Sequence, residues 1–237
     1  MLRKYVFLSK FIILWQFSRV KIIIMTKIKA VILDFDGVIL ESFGIKTNAF
    51  YHIYSKYGVN IAEKVVQHHI ANGGISRYEK FKKYHNDYLG IILTPEAVIQ
   101  LDREFSLLVT NEVLQSPFVP GSFEFITQNW EKYTLFISSG TPEYELKDIC
   151  NRRNLSKFFV GMFGSPLNKV AHIQSIMQNY QLKPYEIVFV GDAINDKIAA
   201  QTTGLHFIAR LSGDKMLENE IYKMNDLTNL EQVISML

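Results

Sequence analysis

The chain has 237 residues, 48% of them hydrophobic, and a formal net charge of +3. This length and composition suit one sizeable core, or one core with a smaller appended lobe. Its 26 lysines and arginines are scattered without a basic run, which gives no sign of a nucleic-acid partner. The single cysteine excludes an intrachain disulfide and suits a reducing compartment, so we expect a cytoplasmic protein.

Residues 1–24 are apolar but interrupted by basic residues. The longest charge-free run, residues 11–18, is far shorter than the ~20 residues of a membrane span, and no small-residue cleavage site follows it. A second methionine, Met25, directly precedes the first predicted strand, so we interpret residues 1–24 as a non-native or disordered extension. N-terminal sequencing of protein made from the native gene should then give Met25 or Thr26, and recovery of residues 1–24 would contradict this.

The apolar run IKAVILDF, residues 28–35, is rich in branched side chains and predicts a strand buried on both faces, as in a parallel sheet. Residues 142–155 and 168–182 have the end residues or the apolar spacing of helices. From Val119 onward, strands and helices alternate, which predicts an α/β fold: a Rossmann-like parallel sheet with helices on both faces. Four later runs resemble the first strand: YTLFIS (133–138), FFVGMF (158–163), EIVFVGD (186–192) and LHFIAR (205–210).

Residues 42–116 differ, because they contain four helical patterns and no convincing strand. We interpret them as an all-helical cap domain inserted into a core domain made of residues 25–41 and 117–237. The stretch PFVPGS, residues 117–122, has two prolines and a glycine and is the expected return hinge. Two crossings between cap and core would let the insert move as a lid.

Two aspartates end the first predicted strand, in the stretch VILDFDGVIL. Residues two apart in a strand point to the same side, so Asp34 and Asp36 should face one pocket at the carboxyl end of the strand. Open α/β sheets bind ligands at that edge, and Gly37 would let the chain turn sharply there. For the pair taken alone, simple capping of a polar strand end is the alternative.

A second acidic pair occurs in VFVGDAINDKIAA, where Asp192 ends a predicted strand and Asp196 follows four residues later. If a helix starts there, the two side chains lie on one face. Two strand ends would then supply four carboxylates, which repel each other unless a divalent cation lies among them, and oxygen ligands suit Mg²⁺. For Asp196 alone, a surface position is the alternative.

Two further segments place polar groups at predicted helix starts. In YTLFISSGTPEYEL, hydroxyl groups and free amides of Ser138, Ser139 and Gly140 offer an anion site, with a simply capped helix as the alternative. Lys169, near the start of the next helix, opposes the helix dipole. We therefore expect it to point at a negative group, with a solvated lysine as the alternative.

Taken in order, strand-DxDG, strand-Ser, Lys and strand-GDxxxD resemble the motifs of the haloacid dehalogenase-like (HAD) superfamily across residues 28–237. In particular, the sequence looks like the branch that holds phosphoglycolate phosphatase and β-phosphoglucomutase. In that branch a helical cap follows the first motif, as residues 42–116 would here. The stretch GGISRYEKF, residues 73–81, also resembles the cap segment of the sugar-phosphate mutases.

The resemblance implies a role for each acidic motif residue. Asp34 would attack phosphorus to form an aspartyl-phosphate. Asp36 would protonate the leaving oxygen and later deprotonate the attacking water. Mg²⁺ would be held by Asp34, the backbone carbonyl of Asp36, and Asp192, with Asp196 bound directly or through water.

The remaining motif residues would bind the substrate. Lys169 and the metal would neutralise the phosphoryl oxygens, to which Ser138 and the amides of Ser139 and Gly140 would hydrogen-bond. The flexible glycine pair before Arg77 would bring its guanidinium group to a phosphate or carboxylate, with a solvated helix arginine as the alternative.

Three positions depart from the family pattern. Glu41 stands where many relatives have aspartate, Asn48 where many have a histidine near the start of the cap, and Val170 where proline usually follows the lysine. None of these departures removes a catalytic atom, but each leaves the substrate open. The adjacent His68 and His69 point about 100° apart on a helix, so we expect packing and not a ligand pair.

We therefore expect a Mg²⁺-dependent phosphomonoester phosphatase that acts on a small soluble phosphorylated metabolite, as a monomer or weak homodimer with no membrane partner. The dehalogenating members of the family lack the second aspartate of the first motif, so Asp36 favours phosphoryl transfer. A sugar-phosphate mutase, whose cap excludes water and which needs glucose bisphosphate, is the first alternative. A non-catalytic HAD-fold binding module is the second, and the intact set of motif residues disfavours it.

Overall fold

A computed structural model describes residues 28–237, so the predicted extension, residues 1–24, lies outside the described residues. The strands in the described range are β1 (Ala30–Leu33), β2 (Thr134–Pro142), β3 (Gly161–Ser165), β4 (Ile187–Gly191), β5 (His206–Arg210) and β6 (Lys223–Met224). They form one parallel sheet in the order β3-β2-β1-β4-β5-β6. β1 therefore lies inside the sheet, between β2 and β4.

Nine α-helices occur in residues 28–237, and none of them is long and apolar enough to cross a membrane. The first four lie between β1 and the rest of the sheet, as predicted for residues 42–116. The helices are α1 (Phe43–Ser55), α2 (Val59–Ala71), α3 (Arg77–Leu89), α4 (Pro95–Gln115), α5 (Ser122–Asn129), α6 (Glu143–Arg152), α7 (Lys169–Asn179), α8 (Ile194–Thr203) and α9 (Leu230–Ile234).

The structure confirms the predicted α/β fold, a parallel sheet covered by helices. Each of the five predicted strands overlaps an observed strand. β3 begins three residues later than predicted, because Ser156–Phe158 forms a turn of 3₁₀-helix. β6 forms the edge of the sheet beside β5. It is only two residues long, too short for a hydrophobic periodicity that the sequence analysis could detect.

Alternation along β1 builds a core on each face of the sheet. Val31 and Leu33 belong to an apolar cluster that includes residues of α5, α6 and α9. Ala30 and Ile32 belong to a second cluster, formed with residues of α7 and α8. All four side chains are fully buried, which explains why the strand reads as an uninterrupted apolar run.

Local sequence signals set the ends of the cap helices. The Ser76 hydroxyl caps α3 by accepting a hydrogen bond of 3.3 Å from the amide two residues later. The Thr94 hydroxyl caps α4 by accepting a hydrogen bond from the amide of Ala97, three residues later. Pro95 occupies the first turn, where a missing amide hydrogen leaves nothing unpaired. Gly90 ends α3 in the left-handed conformation, with φ of 68°.

The two crossings between the cap and the sheet run side by side. The amide of Glu41 donates a 3.0 Å hydrogen bond to the carbonyl of Pro117, and Leu40 pairs with Phe118 in an antiparallel bridge. The two ends of the helical insert are thus held together where they leave the core. The lid motion of this insert stays a prediction.

A substitution at Phe136 measures how much the second apolar cluster contributes to the free energy of unfolding. Phe136 is fully buried, with its ring centroid 4.8 Å from that of Tyr180 and 6.4 Å from that of Phe163. Phe136→Ala should lower the free energy of unfolding by about 3–5 kcal/mol, because it removes apolar contacts and leaves a cavity. Urea unfolding measures the loss.

The matched control is Phe123→Ala, since Phe123 is 39% exposed on α5. We expect it to change the free energy of unfolding by less than about 1 kcal/mol. An equal effect of the two substitutions would contradict the assignment of Phe136 to the core.

Candidate active site

Three aspartates meet at the carboxyl ends of β1 and β4. Asp34 directly follows β1 and Asp192 directly follows β4, and the pairing of Leu33 with Val190 brings these two strand ends together. Asp196 reaches the same place from the first turn of α8. One carboxylate oxygen of each lies within 4.8 Å of the others, and we call these three residues the carboxylate cluster.

The carboxylate cluster is buried, with Asp34 only 3% exposed. Burial raises the pKa of Asp34 to about 7; Lys169 opposes the rise, while Asp196 and Asp36 add to it. Burial also raises the pKa of Asp192, and the charges of Asp34 and Asp196 act in the same direction. Buried like charges at this spacing favour a bound cation, and Mg²⁺ prefers oxygen ligands. The residues of the cluster therefore fit a Mg²⁺ site.

Lys169, the first residue of α7, lies against the carboxylate cluster. Its Nζ is 3.0 Å from Asp34 Oδ2 and forms a second ion pair with Asp196. Burial by itself lowers the pKa of Lys169, but the carboxylates of Asp196 and Asp34 outweigh burial and raise the pKa above its ordinary value. The lysine that opposes the helix dipole thus faces negative groups, as the sequence indicated.

Asp36 is turned away from the carboxylate cluster, toward the cap. Its Oδ1 accepts a 2.6 Å hydrogen bond from Ser42, and its Oδ2 accepts one of 2.9 Å from Thr141. Lys46 of α1 forms an ion pair with the same carboxylate. Burial by itself raises the pKa of Asp36, but the Lys46 charge and these hydrogen bonds outweigh it and lower the pKa. The Asp36 side chain is therefore not part of the carboxylate cluster, contrary to a reading in which all four carboxylates hold the metal.

Lys46 is a site residue that the sequence analysis missed. Asn48, which was aligned with the family's cap histidine, is exposed, whereas Lys46 reaches Asp36. The helix period contains the signal that was overlooked. Phe43, Lys46 and Phe50 lie three and four residues apart along α1 and all line the same cavity.

The cavity beside these groups measures about 50 Å³ and separates the sheet edge from the cap. The core contributes Asp34, Asp36 and Asp192. The carboxyl end of β2 and the cap supply the rest of the lining: Phe43, Lys46, Phe50, His69, Gly74, Ile75, Arg77, Lys80, Phe105, Ser139, Gly140, Thr141 and Pro142.

Ser138 does not line this cavity, contrary to the prediction that its hydroxyl group faces the phosphoryl site. Its Oγ lies 2.9 Å from His172 Nδ1, and His172 Nε2 lies 3.1 Å from the carbonyl oxygen of Gly164. A carbonyl only accepts, so Nε2 carries the hydrogen and Nδ1 accepts from Ser138. Burial lowers the pKa of His172 to about 4, which keeps the ring neutral.

The next two residues do line the cavity, as predicted. The Ser139 hydroxyl accepts a 3.1 Å hydrogen bond from the amide of Thr141, which leaves its own hydrogen free to donate. Gly140 lies directly under the cap, because a Cβ atom there would sit 2.7 Å from the carbonyl oxygen of Gly74. Sequence identified the segment but could not say which of two adjacent serines faces inward.

The cap loop before α3 lies on the core. The amide nitrogen of the Asn195 side chain donates a 2.8 Å hydrogen bond to the carbonyl of Gly73. A Cβ atom on Gly74 would be 3.2 Å from Lys169 Nζ. The predicted approach of residues 73–77 to the site is therefore present in the structure, and it depends on two residues without side chains.

Arg77 lines the cavity, but it is not the free guanidinium group that the sequence indicated. Its Nε donates a 2.6 Å hydrogen bond to Asp102 of α4, and its Nη2 donates bonds of 2.7 Å to Glu145 of α6 and to Ser106. Arg77 is 5% exposed, so these ion pairs are buried. Since Asp102 belongs to the cap and Glu145 to the core, Arg77 joins the two.

Glu41, the departure from the family's aspartate, lies outside the cavity. It forms an ion pair with Arg210, which also donates a 3.2 Å hydrogen bond to the carbonyl oxygen of Gly37. Gly37 has φ of 79°, and a Cβ atom there would lie 2.0 Å from Asp192 Oδ2. The ion pair therefore holds a tight turn that only glycine fits.

Comparison with protein families gives one match. A model of the haloacid dehalogenase-like hydrolases matches residues 31–210, which is most of the chain. No curated protein sequence matches the chain.

Solved structures share the fold at low sequence identity. A predicted phosphoglycolate phosphatase of Haemophilus somnus is 18% identical, with a TM-score of 0.68 over 88% of this chain and 99% of its own. The β-phosphoglucomutase of Clostridium difficile is 15% identical, with a TM-score of 0.72 over 88% and 98%. The Bacillus subtilis protein YfnB, described as a HAD-hydrolase bound to magnesium, is 14% identical, with a TM-score of 0.65 over 88% and 99%.

The carboxylate cluster predicts the effect of one substitution on Mg²⁺ binding. Asp192→Asn should weaken Mg²⁺ at least about tenfold, because it replaces a charged oxygen ligand by a neutral amide. Calorimetric titration with Mg²⁺ measures the affinity without any substrate.

Asp148→Asn is the matched control, since Asp148 is an exposed carboxylate on α6. It should leave the Mg²⁺ affinity unchanged. If Asp192→Asn binds Mg²⁺ as tightly as the control does, the cluster is not the metal site.

Proposed function

This chain belongs to the haloacid dehalogenase-like hydrolases, and from that premise we propose that it is a Mg²⁺-dependent phosphatase of small phosphorylated metabolites. The observation that carries the proposal is the buried carboxylate cluster, in which Lys169 forms ion pairs with Asp34 and Asp196. Asp34 and Asp192 of this cluster line one cavity together with Asp36. A cation and an ammonium group next to a buried carboxylate are the charges that a phosphoryl group requires.

Asp34 is the proposed nucleophile. The amide of Phe35 donates a 2.7 Å hydrogen bond to its Oδ1, and Lys169 holds its Oδ2. These contacts fix the carboxylate at the cavity wall, where it can attack phosphorus in line with the leaving oxygen. A bond forms between phosphorus and a carboxylate oxygen as the bond to the leaving alcohol breaks.

Asp36 is the proposed acid and base. It would give a proton to the leaving alcohol oxygen and then take one from the water that attacks the aspartyl-phosphate, which returns the Asp34 carboxylate. The first step needs a protonated Asp36, so the bound substrate would have to displace Lys46 from this carboxyl group. Its contacts with Ser42, Lys46 and Thr141 turn it toward the cap, where the leaving group would lie. A dehalogenase has no need of this second carboxyl group, so Asp36 supports phosphoryl transfer.

Charge on the phosphoryl oxygens would be balanced from two sides. Lys169 supplies an ammonium group, and the Ser139 hydroxyl and the Gly140 amide supply hydrogen-bond donors, in the place first assigned to Ser138. Mg²⁺ held by the carboxylate cluster and the Asp36 carbonyl would neutralise the same oxygens and orient the phosphoryl group toward Asp34.

A β-phosphoglucomutase-like activity is the second candidate, and the contacts of the cap support it. The cap loop lies on Gly140, and Lys46 lies on Asp36, so the cap contacts the core on two sides of the proposed phosphoryl site. A mutase must exclude water so that the phosphoryl group returns to a sugar. The two activities share the same core chemistry and differ in the acceptor.

Phosphate release distinguishes the two candidates. The purified protein is incubated with a panel of phosphorylated sugars, nucleotides and small phosphorylated acids in the presence of Mg²⁺. Stoichiometric release of free phosphate supports the phosphatase. Isomerisation of a sugar phosphate without release, dependent on a sugar bisphosphate, supports the mutase.

Asp34→Asn should lower kcat by about 10³-fold or more, because a neutral amide does not attack phosphorus. The fold should persist, since the amide has the same shape and Lys169 keeps Asp196 as a partner. Acid quenching of wild type during turnover, followed by peptide mass analysis, should find one phosphoryl group on the peptide that contains Asp34.

Asp148→Asn again serves as the control and should turn over at the wild-type rate. Wild-type activity in Asp34→Asn, or a phosphoryl group on another residue, would remove the covalent mechanism. Addition of a chelator should also stop turnover, and added Mg²⁺ should restore it.

A further inference from the structure

Lys80 is a buried ammonium group on the cap side of the cavity. It lies on α3, three residues after Arg77, and is 2% exposed. Its Nζ lies 2.8 Å from His69 Nδ1 and 5.7 Å from the ring centroid of Phe50. A buried charge is costly unless something of opposite charge lies near it, so the surroundings of Lys80 require an explanation.

The other cations that line the cavity already have acid partners. Lys46 is paired with Asp36, and Arg77 is paired with Asp102 and Glu145. Within residues 28–237, no carboxylate lies within ion-pair distance of Lys80. Among the cations that line the cavity, Lys80 is thus the one without a carboxylate partner in residues 28–237.

His69 adds an independent observation at the same place. It is 4% exposed on α2 and lines the cavity beside Lys80, stacked on Phe43 with ring centroids 5.2 Å apart. Burial, reinforced by the charge of Lys80, lowers the pKa of His69 to about 2, so the ring is neutral. Since Nδ1 accepts from Lys80, the hydrogen is on Nε2, a buried donor with no partner among the described residues.

We propose that Lys80 and His69 bind a second anionic group of the substrate, at the end of the molecule away from the phosphoryl group that Asp34 attacks. The proposal rests on the proposed function, because it assigns a substrate class to the same cavity. An anion there would pair with the ammonium group and accept the free hydrogen of Nε2, which satisfies both buried groups. The substrate is then a phosphomonoester that carries a carboxylate or a second phosphate.

The environment of Lys80 agrees with a binding role. Burial lowers its pKa to about 7, and the positive charges of Lys46 and Lys169 act in the same direction, opposed by Glu79. An anion at this place would raise the pKa again, so that binding of the anion and protonation of Lys80 favour each other.

The cavity places the two proposed binding groups within reach of one small molecule. Asp34 lines it on the core side, and Lys80 and His69 line it on the cap side. A substrate with two anionic groups can therefore contact both sides of the same cavity.

Three esters that differ only at the far carbon test the proposal. Glycerol 3-phosphate ends in a hydroxymethyl group, 3-phosphoglycerate in a carboxylate, and glycerol 1,3-bisphosphate in a second phosphate. Wild type should favour one of the two charged esters over glycerol 3-phosphate by about tenfold or more in kcat/KM. The preferred ester shows whether the anion is a carboxylate or a phosphate.

Lys80→Met keeps the length and apolar stem of the side chain and removes its charge. It should lower kcat/KM for the preferred ester about 10- to 100-fold, mainly through KM, and leave glycerol 3-phosphate within about twofold. His69→Leu should cause a smaller loss on the same ester. Lys82→Met, an exposed lysine on the same helix, is the matched control and should change none of the three.

If Lys80→Met lowers kcat/KM equally for all three esters, or for none of them, the proposal is overturned. Thermal unfolding separates a binding lysine from a structural one. Lys80→Met should raise Tm at neutral pH, because it removes a buried ammonium group that lacks an acid partner. A lower Tm together with equal losses would identify a structural lysine.

Binding of the three esters to the Asp34→Asn variant tests the anion site independently of the proposed phosphatase activity. Calorimetry should show the same preference for the charged ester, and the preference should vanish in the double variant with Lys80→Met. Lys80-dependent binding without turnover in wild type would refute the phosphatase and keep the anion site. Turnover without a Lys80-dependent preference would refute the anion site and keep the phosphatase.

Discussion

The ion pairs of Lys169 with Asp34 and Asp196 are the constraint on which the site depends. One ammonium group, from the first residue of α7, joins an acid at the end of β1 to an acid on α8. Without it, the three buried carboxylates would face one another with no ion pair to a basic residue of the described range, 28–237. Even with it, the negative charge exceeds the positive, and this excess makes the place suitable for a divalent cation.

The close approach of these groups depends on backbone that carries no side chain. A Cβ atom on Gly191 would lie 2.3 Å from that of Asp196, and one on Gly37 would overlap the Asp192 carboxylate. Stability comes from elsewhere, chiefly from the apolar clusters on the two faces of the sheet. The core can therefore hold charges at its edge that cost folding free energy.

Charge also governs how the cap meets the core. Lys46 of the cap pairs with Asp36 of the core, and Arg77 of the cap pairs with Glu145. Both contacts cross the same interface, and Lys46, Asp36 and Arg77 also line the cavity. The charges that hold the cap on the core are therefore the same charges that face the cavity.

The sequence by itself determined the parallel sheet, the inserted helices and the carboxylates at the strand ends, because these follow from local periodicity and from the fact that parallel strands end at one edge. It also indicated that Lys169 faces negative charge. Only the tertiary structure decided that Ser139 and not Ser138 faces the cavity, that Arg77 is held by two acids, and that Lys46 and Lys80 enter the site. Adjacent residues of one strand point to opposite sides, and the partner of a long charged side chain lies on a distant segment. Those outcomes depend on packing between elements, which no local pattern contains.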